Sequence, residues 1–380
     1  MERIAIVGGG IAGLCTAASL TDRGFDPVVY EAADEPQPAD AGIWIPPNGM
    51  DVLDRLGVAD RICERGVPLE RTLVEDVAGA TIFDLDLTAV EDTYGHTIVS
   101  THREELQAAL LGEIPDSAVE TGRQCTGVEQ DEASATLQFA DGGTASADVV
   151  VGADGVESDL RADLFPEVSL RDSGSVCYAA TTDVELPASS RRMDRAIWGR
   201  GKRFGYSALG DGRSYWFAPI NGSLDPVGGG NPVERLAECY ADFPAPVGEL
   251  IAGTDPERVA RVEMRDFDPI EEWSRGRVVL AGDAAHAMLP NLAQGGAQAL
   301  EDGFALAKCL DERASHRRAF ETYEELRLDK AREMVEQSRQ RGKVAQLENG
   351  ILSRVRNVIL GNLPEFVNEK FETDMYEMTF

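Results

Sequence analysis

The sequence of 380 residues is 43% hydrophobic and 27% charged, which excludes a disordered tail and leaves room for two domains or one with a large insertion. Its 36 Lys plus Arg stand against 67 Asp plus Glu, a formal charge of −31, and its only lysines are Lys202, Lys308, Lys330, Lys343 and Lys370. Such a surface repels nucleic acid and anionic membranes and needs salt to screen it, as in a salt-rich cytoplasm.

In chain order, Ile4-Ala5-Ile6-Val7 has the apolar run of a buried parallel strand. Gly8-Gly9-Gly10-Ile11-Ala12-Gly13 then fills G-x-G-x-x-G with Gly8, Gly10 and Gly13. Ile11, Leu14, Ala17, Ala18 and Leu20 recur at helical spacing, with Gly24 placed to end the helix. Pro27-Val28-Val29-Tyr30 is a second strand, closed by Glu31. The glycines allow a tight turn, close approach of backbone to a pyrophosphate, and tight packing of helix on strand. The helix start then receives phosphate, and a carboxylate after the second strand accepts ribose hydroxyls. Strand, turn, helix and acid in this order specify a dinucleotide site far better than the glycines alone.

Residues 69–98 look strand-like, with Thr81 to Leu87 alternating. Asp148-Val149-Val150-Val151-Gly152-Ala153-Asp154-Gly155 is a strand running into a polar glycine turn. From about 171 to 267 long helical periodicity gives way to strand-like runs at Ser175 to Thr182, Arg203 to Leu209 and Ser214 to Ile220. Asn221 to Pro232 reads as a loop lacking strand-to-helix context, hence no second nucleotide site. Arg277 to Ala281 is another strand, followed by Gly282-Asp283-Ala284-Ala285-His286. After Pro290, Asn291-Leu292-Ala293-Gln294-Gly295-Gly296 leads into a helix that can bury Leu300, Phe304, Leu306 and Leu310. Its start offers free N–H groups to an anion. Residues 317–343 predict a charged amphipathic helix packing through Phe320, Tyr323, Leu326 and Met334. Ile351, Val355, Val358, Ile359 and Leu363 predict a last helix packed on the body or on a second subunit. Six scattered cysteines and four histidines show no ligand spacing, so no disulfide frame and no metal site is expected. No signal peptide or apolar run long enough to span a bilayer fits, so the expectation is a cytoplasmic protein.

Three nucleotide-type elements in this order resemble the flavin monooxygenases of the para-hydroxybenzoate hydroxylase type. The block Gly282 to Gly296, with Glu301-Asp302 behind it, is similar to that of zeaxanthin epoxidase and urate hydroxylase relatives, with Ala293 where Gly is usual. Ala41-Gly42-Ile43-Trp44-Ile45-Pro46-Pro47-Asn48-Gly49 and Thr101-His102-Arg103-Glu104-Glu105-Leu106 extend the resemblance, which covers roughly residues 3–340. It implies an α/β fold: a Rossmann-like FAD-binding domain from residues 1–68, 99–170 and 268–345. A mostly antiparallel substrate-binding sheet from 69–98 and 171–267 would be inserted in it, with a helical tail over 346–380.

The resemblance also implies roles. Glu31 and Ala32 would lie at the adenosine ribose, Arg103 near pyrophosphate, and the backbone of Cys125 against adenine. Gly282 and Asp283 would bind the ribityl and pyrophosphate side. The backbone of Ala293, Gln294, Gly295, Gly296 and Ala297 would face the pyrimidine edge of the flavin. Trp44 belongs to the Pro-Asn-Gly element beside the cofactor, and Asp154 shapes a turn near the cleft. His286 reads as a packed or capping histidine. The helix start after Gln294 would favour the anionic reduced flavin by about 0.3–1 kcal/mol. In such enzymes NADH or NADPH reduces FAD and a flavin C4a-hydroperoxide transfers oxygen to the substrate, here a small aromatic. Arg203 and Tyr215 match substrate-contacting positions, and Pro290 would stiffen the turn near C4a. Departures are Cys177 to Thr181, which lacks the Trp-Arg-Gly of many relatives, and Asn291 where urate enzymes place Asp. They argue against urate and keep open an epoxidase of an apolar isoprenoid or, outside oxygen chemistry, a prenyl reductase. The partners expected are a small-molecule substrate, no nucleic acid and no integral membrane segment, in a monomer or homodimer.

Overall fold

The structure is a computed structural model; it describes residues 2–34, 41–224, 230–362, 374–378 and 380. Its first layer is a six-stranded sheet in the order Ser274–Arg275, Val278–Leu280, Val149–Gly152, Ile4–Val7, Val28–Tyr30, Val119–Glu120. All neighbours run parallel except the edge pair at Ser274. Ile4–Val7 and Val149–Gly152 are buried along their whole length, as continuous apolar runs require when helices cover both faces. The helix Ile11–Asp22 packs against Gly295–Glu312, which in turn carries His316–Ala345. The predicted strands and helices of this layer therefore lie where the apolar patterns place them. Gly24, at φ +82°, turns the chain out of the first helix.

The second layer is a seven-stranded sheet in the order Ala260–Asp266, Arg171–Thr182, Ser214–Asn221, Arg203–Ala208, Met193–Trp198, Arg71–Asp76, Thr81–Asp86. Every pairing is antiparallel except Met193–Trp198 with Arg71–Asp76. Residues 69–98 thus join residues 171–267 in one sheet. Two small antiparallel sheets complete the architecture: Cys125–Gln130 with Ala135–Phe139 and Thr144–Ala147, and Gly42–Ile45 with Val99–His102 and Val67–Pro68.

Several expectations need correction. The strand-like stretch 69–98 ends in a helix, Leu87–Tyr94, because the Asp86 carboxylate accepts the Thr88 N–H at 2.9 Å and Gly95 ends the helix at φ +81°. Short helices at Pro232–Cys239 and Val247–Ala252 stand between the strands of residues 171–267, where strand-like runs were expected without long helices. Asn221 to Pro232 does connect a strand to a helix, although residues 225–229 lie outside the described residues. On His316–Ala345 the buried face includes Arg327 and Lys330, whereas Leu326 is only half-buried.

The helix Gly350–Leu360 does not bury its apolar residues against the body of the chain, the first of its two expected packings. Ile351, Val355, Val358 and Ile359 are exposed, and Leu363 lies outside the described residues. Polar groups hold the helix instead. Arg356 donates to the Val344 and Ala345 carbonyls left free at the preceding helix end, at 2.9 and 2.8 Å, and stacks over Trp198 at 4.8 Å. Asn357 donates to Asp76 at 3.2 Å.

Arginine–carboxylate pairs such as Arg71–Asp84 and Arg123–Asp141 are well exposed on at least one side and contribute little each. The net −31 therefore dominates the surface electrostatics. The melting temperature is expected to rise as salt increases from tens of millimolar towards molar. A flat or falling melting curve over that range would remove the salt-adaptation reading.

Candidate active site

The carboxyl ends of Ile4–Val7, Val149–Gly152 and Val278–Leu280 open on one side of the parallel sheet, where a ligand site belongs in this class of fold. Gly8 sits at φ +106°, and a Cβ there would lie 2.3 Å from the Ala153 carbonyl oxygen. A Cβ on Gly13 would lie 1.9 Å from the Gly8 carbonyl oxygen. The turn can thus be made only without side chains. The helix Ile11–Asp22 follows with no side chain capping its start, so its first N–H groups face outward.

Beside this turn Glu31, half-buried, accepts the Gly9 N–H at 2.6 Å and the Ala33 N–H at 2.9 Å. Ala32 is exposed in the same bend. Cys125 follows it in space: its thiol is buried, 3.5 Å from the Gly127 carbonyl, and burial pushes it above its ordinary pKa. Gln107, which sequence reasoning missed, reaches the Gly9 carbonyl at 3.1 Å from the helix Arg103–Leu111.

A cavity of about 440 Å³ runs from Gly10, Ile11 and Ala12 past Asp283 to the seven-stranded sheet. Arg103, Trp44, Pro290, Ala293, Gly295 and Gly296 line it, as do Arg203 and Tyr215. Two separately predicted sets, the glycine turns and the substrate pair, thus share one cavity. Trp44 is fixed by donating to the Ser207 hydroxyl at 2.8 Å and meets Phe217 edge-on with centroids 5.3 Å apart. Tyr215 is half-buried, and desolvation pushes its phenol well above the ordinary range. Arg203 is buried and donates to Asn291 Oδ1.

Other predicted residues serve the walls from behind. Asp154 is not in the lining: its carboxylate accepts the Ser158 hydroxyl at 2.6 Å and the Leu160 N–H at 3.1 Å, which shapes the turn carrying Gly155 into the cavity. Burial raises the Asp154 pKa. Gln294 turns its side chain inward to Asn48 and Gln298, and Ala297 is buried. Gly282 holds φ +63° and donates its N–H to Asp302 at 2.8 Å. His286 is packed, as expected: its Nε2 lies 2.5 Å from Asp302 and its ring 5.2 Å from that of Trp273. Ala293 is the one non-glycine residue at positive φ among the described residues, at 55°.

Behind the lining lies an ionic network that periodicity concealed. Glu301, Asp302 and Arg327 are fully buried. Arg327 donates to Asp302 at 2.9 Å and also to Glu301; Lys330 donates to Glu301 at 2.8 Å, and Asn48 to Glu301 at 2.6 Å. Burial raises the Asp302 pKa, but His286 and Arg327 outweigh it and hold the carboxyl at about 2. The substrate-side wall was also missed in part. Asp194, Ala196 and Trp198 face the cavity at alternate positions of Met193–Trp198, so strict alternation was the available signal.

The FAD binding domain family model matches residues 2–338. The chain belongs to that family. Similar proteins include a 3-amino-4-hydroxybenzoate 2-monooxygenase of Streptomyces cremeus, 36% identical over 353 residues covering 92% of this chain and 89% of that one. An aurachin C monooxygenase/isomerase of Stigmatella aurantiaca is 31% identical over 357 residues, covering 94% and 93%. Among solved structures, Klebsiella pneumoniae HpxO complexed with FAD and uric acid superposes with a TM-score of 0.89 at 29% identity, covering 98% and 96%. The chain is accordingly an FAD-dependent oxidoreductase of the monooxygenase type, with the mixed α/β fold expected. Its residues fit that cofactor: a side-chain-free turn, two helix starts on one cavity, and Asp283 exposed between them. Among the described residues no helix is long and apolar enough to cross a membrane.

Proposed function

We propose that this FAD-dependent monooxygenase hydroxylates a small aromatic or heteroaromatic substrate at the expense of NADH or NADPH and oxygen. The observation that carries the reading is the continuity of the cavity from the glycine turn and Asp283 to Arg203 and Tyr215. FAD, when bound, supplies the oxygen chemistry; the chain binds it, orients the substrate and excludes water. Residues 1–68, 99–170 and 268–345 would hold the cofactor, with Glu31 toward the ribose and Asp283 toward the ribityl chain. Residues 69–98 and 171–267 would hold the substrate, with 346–380 as a tail. Pro290 and Asn291 line the cavity between these two sets. A buried guanidinium and a phenol in the wall suit a polar aromatic better than an isoprenoid, so epoxidation and double-bond reduction are less well supported. The acidic surface supports a cytoplasmic monomer or homodimer without a nucleic-acid partner.

The purified protein is expected to be yellow and to release one FAD per chain. Asp283→Ala and Glu31→Ala should each weaken FAD retention by roughly 1.5–3 kcal/mol, the worth of a charged hydrogen bond. A colourless protein that FAD cannot reconstitute would sink the reading. A screen of phenols and heteroaromatics should follow NAD(P)H oxidation, oxygen uptake and peroxide release together. Coupled oxygen uptake supports a monooxygenase, whereas NAD(P)H oxidation without oxygen uptake supports a reductase.

A further inference from the structure

Arg203 is 5% exposed, yet no carboxylate among the described residues pairs with it. Nη2 donates to the neutral Asn291 amide, and Nε finds no partner. Burial, with a smaller contribution from Arg341 of the same sign, lowers the guanidinium to about 10. The opposing influences, Cys177 and Tyr240, are both kept neutral at ordinary pH, since burial pushes the thiol to about 11 and the phenol well above its usual range. Asp194 lines the same cavity but cannot serve as counter-charge. Arg203 pairs with Trp198 across the ladder, which puts Asp194 four residues along its strand, roughly 13 Å away. Its carboxylate accepts the Thr72 hydroxyl at 3.0 Å.

The Asn291 amide is locked in one orientation. Its Nδ2 donates to the Ser338 carbonyl at 2.9 Å, so Oδ1 is the atom left for Arg203. The helix His316–Ala345 approaches this closely because position 342 is glycine: a Cβ there would lie 2.5 Å from Asn291 Nδ2. An amide so held fixes the guanidinium without cancelling its charge. A buried cation is costly until an anion reaches it, and the open side of this one is the substrate cavity.

We infer that Asn291 is a specificity-determining residue that orients Arg203 but leaves its charge unanswered, so that the site selects aromatic substrates carrying a carboxylate or phenolate. The inference rests on the proposed function, and it names the substrate class of that same site. A carboxylate at position 291 would supply the missing charge internally and remove the selection.

The test uses the FAD-loaded enzyme at neutral pH and the perturbation of flavin absorbance as ligands are added. The probes are benzoate against benzamide, and salicylate against salicylamide. Each acid is expected to bind about tenfold or more tighter than its amide, as for a charge-assisted hydrogen bond. In Asn291→Asp the acid-to-amide ratio should fall to about one with FAD content unchanged, the energy of that bond being forfeited. In Asn291→Ala, which loosens Arg203 but keeps its charge, both ligands should bind more weakly while the acid preference persists. If the Asp variant does not fold, Arg203→Gln should abolish the preference in its place. Equal binding of acid and amide to the unsubstituted enzyme, or no response to either acid, overturns the inference, as does a preference that survives in FAD-loaded Asn291→Asp. An enzyme that retains FAD and hydroxylates neutral aromatics while ignoring acids would leave the proposed function standing and this inference fallen.

Discussion

Replacing Arg327 by Met is expected to cost about 3–5 kcal/mol of folding stability, measured by denaturant unfolding, because it strands buried carboxylates. Arg327 is fully buried and answers both Glu301 and Asp302. Lys330 still reaches Glu301 and His286 still reaches Asp302, so the variant should fold, but with one positive charge too few. The pH dependence has a definite sign. Asp302, held at about 2 against an ordinary carboxylate value near 4, stabilises the native state fully above pH ~4 and loses that contribution as pH falls toward 2. In Arg327→Met the stranded carboxyls should move upward, so the deficit relative to the parent should be larger at pH 7 than in mild acid. A deficit independent of pH would mean that packing, not charge, accounts for the loss. Because Asp302 also accepts the Gly282 N–H, FAD retention should fall together with stability.

The second large effect is on turnover. Arg203→Leu is expected to lower kcat/KM for a phenolic or acidic aromatic by about 10–100-fold, roughly 1.5–3 kcal/mol of transition-state binding. Tyr215→Phe should produce a smaller loss, since the ring stays in place beside Phe217, with centroids 6.1 Å apart, and only the hydroxyl goes. FAD content should stay normal in both, because neither residue belongs to the glycine turns or to the Gly282–Asp283 bend. A deoxy analogue of the substrate should fail for the complementary reason, leaving the wall's polar groups unpaired. Unchanged turnover in both variants would mean that the reacting ring lies against another wall, and neutral or improved turnover of an apolar isoprenoid in Arg203→Leu would favour the epoxidase.

What could be read from the residues alone was whatever depends on local rules. Ile4–Val7, its glycine turn and Glu31 show their pattern within about thirty residues of sequence, and the Gly295–Glu312 helix announces itself by its apolar spacing. Long-range compensation was not legible. Arg327 and Lys330 look like solvent-facing charges on a helix until Glu301 and Asp302 are brought opposite them from another helix. The same holds for Gly350–Leu360: its apolar residues match a packing face, but Arg356 and Asn357 find better partners in the free carbonyls and Asp76, and they turn that face outward. At Met193–Trp198 the pattern was present but short, and a charged residue on each face, Asp194 and Arg195, hid it. Arg203 and Tyr215 were found as positions; the neutrality of the Arg203 partner needed the geometry.

The cavity is lined at one end by Gly10 and Ile11 and at another by Tyr376, residues far apart in the order of synthesis. At about 5–20 residues per second, tens of seconds separate them on the ribosome. For part of that interval Ile4–Val7 lacks its neighbour Val149–Gly152, and for most of it the almost wholly buried helix Ile11–Asp22 lacks Gly295–Glu312 to cover it. The nascent chain must therefore carry exposed apolar surface for long periods, shielded only by its growing negative charge and by chaperones. Flavin cannot be captured in its final place until Gly295–Glu312 has closed the second wall. Slow synthesis or scarce FAD should thus favour aggregation of incomplete chains over accumulation of a stable apoprotein.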